Sequence, residues 1–311
     1  MVYNFIGYFF IKGFEMGKRT IKFIITLVVA LIIGSAYGFV MGLLKIAFPE
    51  YCDMIETVNK IIFWSVMSII FIVIFIIIGV STIKEFNFMK LVNNELMYNG
   101  LTETIYNAAS KRKERYKKNK TSVGYVGSVN MMINYLAMQD KLKEAEEMLE
   151  EFDLIELKDK MKIESGNPNR SNATTYFGLL DSAMCLYIEL NNKEKVEYIY
   201  SIFNPLYNLY IAKFDYLTDV LYEVKVKYLI FNEEFNEANS ILDILKSSQP
   251  FLYYAFMLDV HKKQKVTDKE LIEETYNNAI TEAEKLASKG FFKQSLAKKK
   301  EDIYKELAKE G

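Results

Sequence analysis

Two long apolar runs without a charged residue constrain this chain more than any other feature. Phe23–Leu44 and Ile61–Val80 are 22 and 20 residues long and contain no Asp, Glu, Lys, Arg or His. A helix needs about 20 apolar residues to cross the hydrocarbon core of a bilayer. A charge at the centre of such a helix costs at least about 2.5–3.5 kcal/mol. We therefore predict a two-helix transmembrane hairpin in residues 23–80, with an outer loop at 45–60.

The distribution of basic residues predicts the orientation of this hairpin. Four basic residues and one acid precede the first run, whereas residues 45–60 hold two lysines and three acids. Lys and Arg accumulate on the cytoplasmic side of membranes, so we expect a two-pass, N-in/C-in protein. Residues 1–22 then form a cytoplasmic or interfacial segment, and residues 81–311 are cytoplasmic. A cleaved signal peptide is the alternative, but its apolar region is usually only 7–15 residues long.

Three glycines follow one another at helical spacing in the first run. Gly34, Gly38 and Gly42 lie at i, i+4 and i+8 and would form a flat stripe on one helix face. Small residues at this spacing let two helix backbones approach closely in a membrane. The stripe packs either against Ile61–Val80 of the same chain or against a second copy, and the sequence leaves both possibilities open.

The rest of the chain is patterned for helices. Apolar residues recur with a period of 3.6, and no stretch alternates apolar and polar residues as a half-buried strand would. The chain has only four prolines and 14 glycines, which favours helix. We predict an all-α fold, with a linker helix region at 81–122 that breaks at Gly100. Antiparallel helical hairpins should follow at 123–311, because short polar turns separate the helices.

Three segments of this part resemble one another. Residues 135–145, 186–196 and 228–238 each end one helix, turn through two or three polar residues and begin the next helix with a small or β-branched residue. Residues 286–295 are a fourth, weaker instance. These segments resemble tetratricopeptide (TPR) repeats, and the third matches best through Phe235, Ala238, Leu242 and Pro250. The spacing of 42 to 57 residues departs from the family's 34. The resemblance implies a divergent TPR-like α-solenoid.

The resemblance also implies a binding groove. In such solenoids the first helix of each hairpin lines a concave surface, which binds extended peptides or partner helices. The positions that correspond to this surface are Asn130, Asn134, Asp181, Cys185, Glu223 and Lys227. The alternative is that they are ordinary solvated helix residues.

A basic run lies at the end of the predicted linker helix. Its members are Lys111, Arg112, Lys113, Arg115, Lys117 and Lys118, followed by Lys120. The run is a solvated helix end favourable to the helix dipole, a site for anionic lipid headgroups, or a nucleic-acid site. The third reading is disfavoured, because residues 81–311 carry a net charge of only −3 and no broad basic surface is expected.

The sequence contains no pattern of a catalytic or metal site. His261 is the single histidine, and we expect it at an exposed helix end; any histidine-dependent triad or metal cluster would have to be built on it. Glycine-rich phosphate loops and paired-cysteine zinc spacings are absent. We therefore expect a non-enzymatic protein without cofactor or metal: a membrane-anchored adaptor whose array binds a protein or peptide. The alternative is an oligomerising membrane protein, either a transport-complex subunit or a permeabilising effector, with the array as its sensor.

Overall fold

The computed structural model describes residues 34, 37–44 and 46–310. Contacts divide these residues into two compact units, one that ends at Phe88 and one that begins at Met89. The described residues form helices and turns and contain no strand. The predicted all-α fold class is confirmed for this part of the chain.

The first unit is dominated by one long helix. Residues 37–44 are helical, Pro49–Tyr51 form a 3₁₀ turn, and helix α1 follows at Cys52–Tyr98. Within α1, Glu56–Tyr98 is long and apolar enough to cross a membrane: its most apolar window has a mean hydropathy of 3.2 and no buried residue. A core helix of a soluble protein with this composition would be mostly buried.

This apolar helix includes the second predicted span, Ile61–Val80. Most of the first predicted span, Phe23–Leu44, lies outside the described residues, as does the segment 1–22. One apolar span is therefore present, and the two-helix hairpin stays a prediction.

The second unit is an array of helices. After the end of α1 the chain turns at Gly100, whose φ of +84° is a backbone conformation that glycine adopts readily. The array comprises α2 (Glu103–Tyr116), α3 (Val123–Met138), α4 (Leu142–Leu149), α5 (Leu154–Lys160), α6 (Arg170–Glu189), α7 (Lys193–Tyr210), α8 (Thr218–Phe231), α9 (Phe235–Ser248), α10 (Pro250–Lys263), α11 (Lys269–Ala283) and α12 (Lys289–Glu310). Consecutive helices pack against each other from α2 to α4 and from α6 to α12.

Four of the hairpins share one turn geometry. The pairs α3/α4, α6/α7, α8/α9 and α10/α11 each turn through a residue with φ between 50° and 64°: Asp140, Asn191, Glu233 and Lys265. In each turn the next N–H donates to the carbonyl five residues earlier, over 2.8–2.9 Å. This is the Schellman pattern, which satisfies the last carbonyls of a helix.

The fourth turn of this geometry lies at Lys265, between α10 and α11. Residues 286–295, the fourth similar segment of the sequence, connect α11 to α12 and form the first turns of α12. Gly290 has a different role: a Cβ there would lie 2.8 Å from the carbonyl carbon of Tyr98. The glycine therefore allows α12 to approach the backbone at the end of α1.

An aromatic cluster forms the centre of the array. Phe177 on α6 makes edge-on ring contacts with Tyr176, Phe203 and Tyr210 at centroid distances of 6.0–6.5 Å. All four side chains are fully buried. The hydroxyl of Tyr176 donates to the carbonyl of Leu154 over 3.0 Å, and that of Tyr210 also donates to a backbone carbonyl. These bonds satisfy the buried hydroxyls and hold the short helix α5 to the array.

The last helix returns to the beginning of the array. The side-chain amide of Gln294 on α12 accepts from the N–H of Leu101 over 2.7 Å and donates to its carbonyl over 3.3 Å. Lys298, one turn later, donates to the carboxylate of Asp140 in the first hairpin turn. The two ends of the array are thus in direct contact.

Candidate partner-binding site

Because the four turns have the same geometry, positions on the first helices of these hairpins (α3, α6, α8 and α10) can be compared by their distance from the turn residue. Asn130, Asp181 and Glu223 each lie ten residues before the left-handed residue of their hairpin. Asn134, Cys185 and Lys227 lie six residues before it, and so one helical turn later on the same face. The predicted groove residues therefore occupy equivalent positions on α3, α6 and α8. We call these six residues the polar row.

The polar row is more buried than a solvated helix face. The exposed fractions of Asn130, Asp181 and Glu223 are 3%, 0% and 2%. Asn134, Cys185 and Lys227 are half-buried. Asp, Glu and Lys are almost never fully buried unless they are paired, so the partners of these charges matter.

A single ammonium joins the two acidic members of the row. Lys227 Nζ on α8 donates to Asp181 Oδ1 on the neighbouring helix α6. The same nitrogen lies 3.7 Å from Glu223 Oε2, one turn earlier on its own helix. It also lies 6.0 Å from the ring centroid of Phe256 on α10. Two carboxylates therefore share one lysine inside the array.

Burial and the neighbouring charges shift the pKa values of Asp181, Lys227 and Cys185. Burial raises the pKa of Asp181 above its usual value, and the Glu223 carboxylate adds to this effect, although Lys227 opposes it. Burial lowers the pKa of Lys227, but Asp181, Cys185 and Glu223 together raise it, and the net shift is upward. Burial also raises the pKa of the Cys185 thiol to about 12, so this thiol is protonated at neutral pH and a poor nucleophile.

Two oxygens of the polar row accept no hydrogen bond. Asp181 Oδ2 and Asn130 Oδ1 are buried, and neither has a hydrogen-bond partner. A buried polar atom left in this state costs about 1–3 kcal/mol. Both atoms are acceptors, so a molecule that satisfied them would have to donate.

A further acidic residue, missed in the sequence, occupies an equivalent position on α10. Asp259 lies six residues before Lys265, in register with Lys227, and accepts a hydrogen bond from Lys299 on α12. The pattern missed it because the fourth turn was expected at 286–295. The signal that finds Asp259 is the constant spacing from a turn residue, which requires the turn at Lys265 to be known.

The basic run is divided between structural and exposed residues. Arg112 is buried and donates to the carbonyl of Gly124 over 3.0 Å, and it lies 3.3 Å from Ser128 Oγ. Lys113 donates to Glu151 over 2.5 Å. These two side chains join α2 to its neighbours in the array. The exposed basic residues are Lys111, Arg115, Lys117, Lys118 and Lys120.

The single histidine lies inside the array. His261 was expected at an exposed helix end, but only 5% of it is exposed, and its Nε2 lies 3.1 Å from Thr275 Oγ1 on α11. The expectation was wrong because α11 packs over the end of α10. Burial lowers the pKa of His261. Within the part of the chain that the structure describes, no group of three or more His, Cys, Asp or Glu side chains is arranged to hold a metal ion.

The glycine stripe approaches α1 closely at Gly34. A Cβ there would lie 3.3 Å from Phe63 Cε2 on α1. A Cβ at Gly38 or Gly42 would have no atom within 4 Å among the residues that the structure describes.

Comparison with known proteins adds no assignment to these observations. No protein-family model matches the chain, and no curated protein or solved structure matches it. A functional proposal therefore rests on the polar row, the exposed apolar surface of α1 and the glycine stripe.

Proposed function

We propose that this protein is a non-enzymatic, membrane-anchored adaptor whose helical array binds a protein or peptide partner through the polar row. The observation that carries this proposal is the sharing of Lys227 by Asp181 and Glu223 on adjacent first helices. Desolvating a buried ion pair costs free energy that the attraction between the charges often fails to return. Apolar residues would stabilise these positions at least as well, which favours a role in recognition.

The proposal includes a divergent TPR-like fold for the array. Three second helices carry a fully buried small or β-branched residue five positions after the left-handed turn residue: Ala145, Val196 and Ala238. Small side chains at one register position allow the two helices of a hairpin to cross closely. In TPR-like arrays the first helices line the surface that binds extended peptides, and the polar row lies on first helices.

The proposal also includes a two-pass topology that anchors the array at the cytoplasmic face of the membrane. The exposed apolar surface of α1 supports one of the two spans. The absence of charges from Phe23–Leu44 supports the other. The basic residues before the first span support an N-in, C-in orientation.

The test is co-purification from gently solubilised membranes with the full-length protein as bait. Asn134→Ala removes a half-buried amide from the polar row, and Asn239→Ala makes the same change on the exposed surface of the second helix α9. The adaptor proposal expects one protein that co-purifies with wild type and with Asn239→Ala but is depleted with Asn134→Ala. Equal recovery with all three baits, or recovery of the bait alone, would contradict it.

A second candidate function is favoured by the open glycines. A Cβ at Gly38 or Gly42 would have no atom of the described residues within 4 Å, as expected if these glycines pack against a second copy in the membrane. The protein would then act as an oligomer within the bilayer, with the array as its sensor. Gly38→Leu with Gly42→Leu should convert an oligomer to a monomer in detergent, measured by light scattering, whereas Gly79→Leu should not. A wild-type monomer would exclude this function.

A further inference from the structure

We propose that the second half of α12, residues 297–308, is a strap that covers the polar row, and that the partner gains access to the row when the strap is released. This inference rests on the adaptor function and adds a regulation of the same site. It starts from the unequal packing of the two halves of α12. In the first half, Phe291, Phe292 and Leu296 are only 1–3% exposed. Among residues 297–308, Ile303 is the one buried apolar side chain.

The first half of α12 is anchored without charges. The ring of Phe292 lies 4.5 Å from that of Phe251 on α10, measured between centroids. Gln294 makes hydrogen bonds to both backbone groups of Leu101. These contacts do not depend on an ion pair, so this half should stay in place when charges are removed or screened.

The strap is held mainly by charged contacts. Three consecutive lysines donate to carboxylates on three different elements: Lys298 to Asp140 in the turn between α3 and α4, Lys299 to Asp259 on α10, and Lys300 to Glu273 on α11. In each pair at least one side chain is more than one quarter exposed. Ion pairs with this exposure are individually weak and are screened by salt, so the strap can be released more easily than the first half.

A cleft lies between the strap and the end of α10. It has a volume of about 230 Å³, and the strap contributes Ile303, Glu306 and Leu307 to its lining. Lys262 on α10 pairs with Glu306 over 3.3 Å at this cleft. Protein interiors contain few voids larger than a water molecule. The strap is therefore less closely packed than the core, and its release would break few apolar contacts.

The strap reaches the polar row itself. Lys227 of the row and Lys299 of the strap each lie 6.0 Å from the ring centroid of Phe256 on α10. The charge of Lys299 also acts on Cys185 of the row and on Glu189, one helical turn later on α6. The strap thus lies against the helix ends that carry the row, and a partner that approaches from this side has to displace it.

Hydrogen exchange of the full-length protein in detergent, followed by mass spectrometry, measures release of the strap. The strap variant combines Lys298→Ala, Lys299→Ala and Lys300→Ala. The control variant removes three lysines that pair with Glu282 and Glu284 near the start of α12: Lys285→Ala, Lys289→Ala and Lys293→Ala.

Amides of residues 297–308 should exchange about tenfold faster in the strap variant than in the control variant, since three partly exposed ion pairs together contribute about one factor of ten. Residues 291–296 should keep their protection in the strap variant. Equal exchange of residues 297–308 in the two variants overturns the inference. Loss of protection throughout the array also overturns it, because the three lysines would then hold the whole fold.

Alkylation of Cys185 by a maleimide measures access to the polar row in the same two variants. Peptide mass spectrometry distinguishes Cys185 from Cys52, the other cysteine of the chain. The reaction of Cys185 should be faster in the strap variant by about the same factor of ten. Unchanged alkylation, together with faster exchange of the strap, would overturn its position over the row.

A salt titration of wild type keeps the inference testable if the strap variant does not fold. Raising the salt concentration from about 0.05 M to about 0.5 M shortens the range of charge interactions. Exchange of residues 297–308 should then become faster relative to residues 291–296. An equal response of the two halves overturns the inference.

The outcomes also separate this inference from the adaptor function, which the co-purification experiment with Asn134→Ala tests independently. If that experiment finds a partner, the strap variant should recover more of it than the control variant. Equal recovery refutes the regulation and keeps the adaptor. If no partner is found, the adaptor function and its regulation are both refuted, whereas hydrogen exchange and alkylation still decide whether the strap covers the row.

Discussion

Lys227 on α8 donates a hydrogen bond to Asp181 on α6, and this bond joins the first helices of two successive hairpins. The Asp181 side chain is fully buried, and that of Lys227 is 12% exposed. A pair at this depth differs from an exposed ion pair in what happens when one partner is removed. The remaining charge keeps the full cost of its burial.

Lys227→Met should therefore lower the free energy of unfolding by about 3–5 kcal/mol, because it removes the ammonium that donates to the fully buried Asp181 carboxylate. Urea unfolding of the full-length protein in detergent, followed by circular dichroism, measures this change. The matched control is Lys299→Met, since the Lys299–Asp259 pair is more than one quarter exposed on both sides. We expect that control to lose less than about 1 kcal/mol. An equal loss of unfolding free energy in the two variants would contradict a stronger dependence on the buried Lys227 than on Lys299.

Glu233→Gly should stabilise the array. Glu233 has φ of +64°, a conformation that costs an L-residue about 1–2 kcal/mol, whereas glycine loses about 0.5–1 kcal/mol of backbone entropy on folding. The expected net gain is about 0.5–1 kcal/mol in the same urea assay. Glu234→Gly is the adjacent control, with φ of −82°. Glu234→Gly should destabilise the protein. Destabilisation by Glu233→Gly together with stabilisation by Glu234→Gly would contradict the turn geometry.

Phe177→Ala should remove the centre of the aromatic cluster. The side chain is fully buried among three other rings, so the change leaves a cavity and should cost about 3–5 kcal/mol. Tyr198→Ala on the exposed surface of α7, where 40% of the side chain is exposed, should cost far less. A melting temperature for Phe177→Ala equal to that of the control would show that the cluster is not the core.

His261 should make the array less stable in mild acid. Burial lowers the pKa of His261 below its usual 6.5, so the unfolded chain binds a proton at a higher pH than the folded one. The free energy of unfolding should therefore be unaffected well above pH 6.5 and fall as the pH drops from that value toward the folded pKa. Since the chain has one histidine, His261→Gln should remove this part of the pH dependence. The comparison uses urea unfolding of both proteins between about pH 7 and about pH 5. A constant difference across that range would contradict the burial.

The positions of most helices could be predicted from the sequence because they depend on local chemistry. Apolar residues at a period of 3.6 mark α3 and α6, and the polar residues near Asp140 and Asn191 mark the turns between the helices. Gly100 marks the end of α1 because it adopts a positive φ. These signals lie within a few residues of the feature that they predict.

Other features depend on contacts between residues far apart in sequence. In the sequence Arg112 cannot be distinguished from the other residues of the basic run. Only the fold shows that it donates a hydrogen bond to the carbonyl of Gly124. The burial of His261 follows from the packing of α11 and has no local signal.

The residues of the candidate site come from the resemblance to TPR repeats, whereas their interactions are seen only in the folded array. The resemblance to TPR repeats placed Asp181, Glu223 and Lys227 on one surface, and the shared register is consistent with that placement. The Lys227 ammonium lies close to both Asp181 and Glu223 because of the spacing between α6 and α8. That spacing cannot be obtained from the sequence. The unpartnered oxygens of Asp181 and Asn130 are likewise a property of the folded array.

Site-specific photocrosslinking in native membranes can identify the molecule that contacts the polar row. A photoreactive residue replaces Asn134, in the polar row, or Glu147, on the exposed surface of the second helix α4, and the adducts are identified by mass spectrometry. The adaptor proposal predicts one partner protein crosslinked from position 134, absent from position 147 and diminished by Asp181→Asn. Adducts only with further copies of this chain, or the same partner from both positions, would contradict a partner-binding polar row.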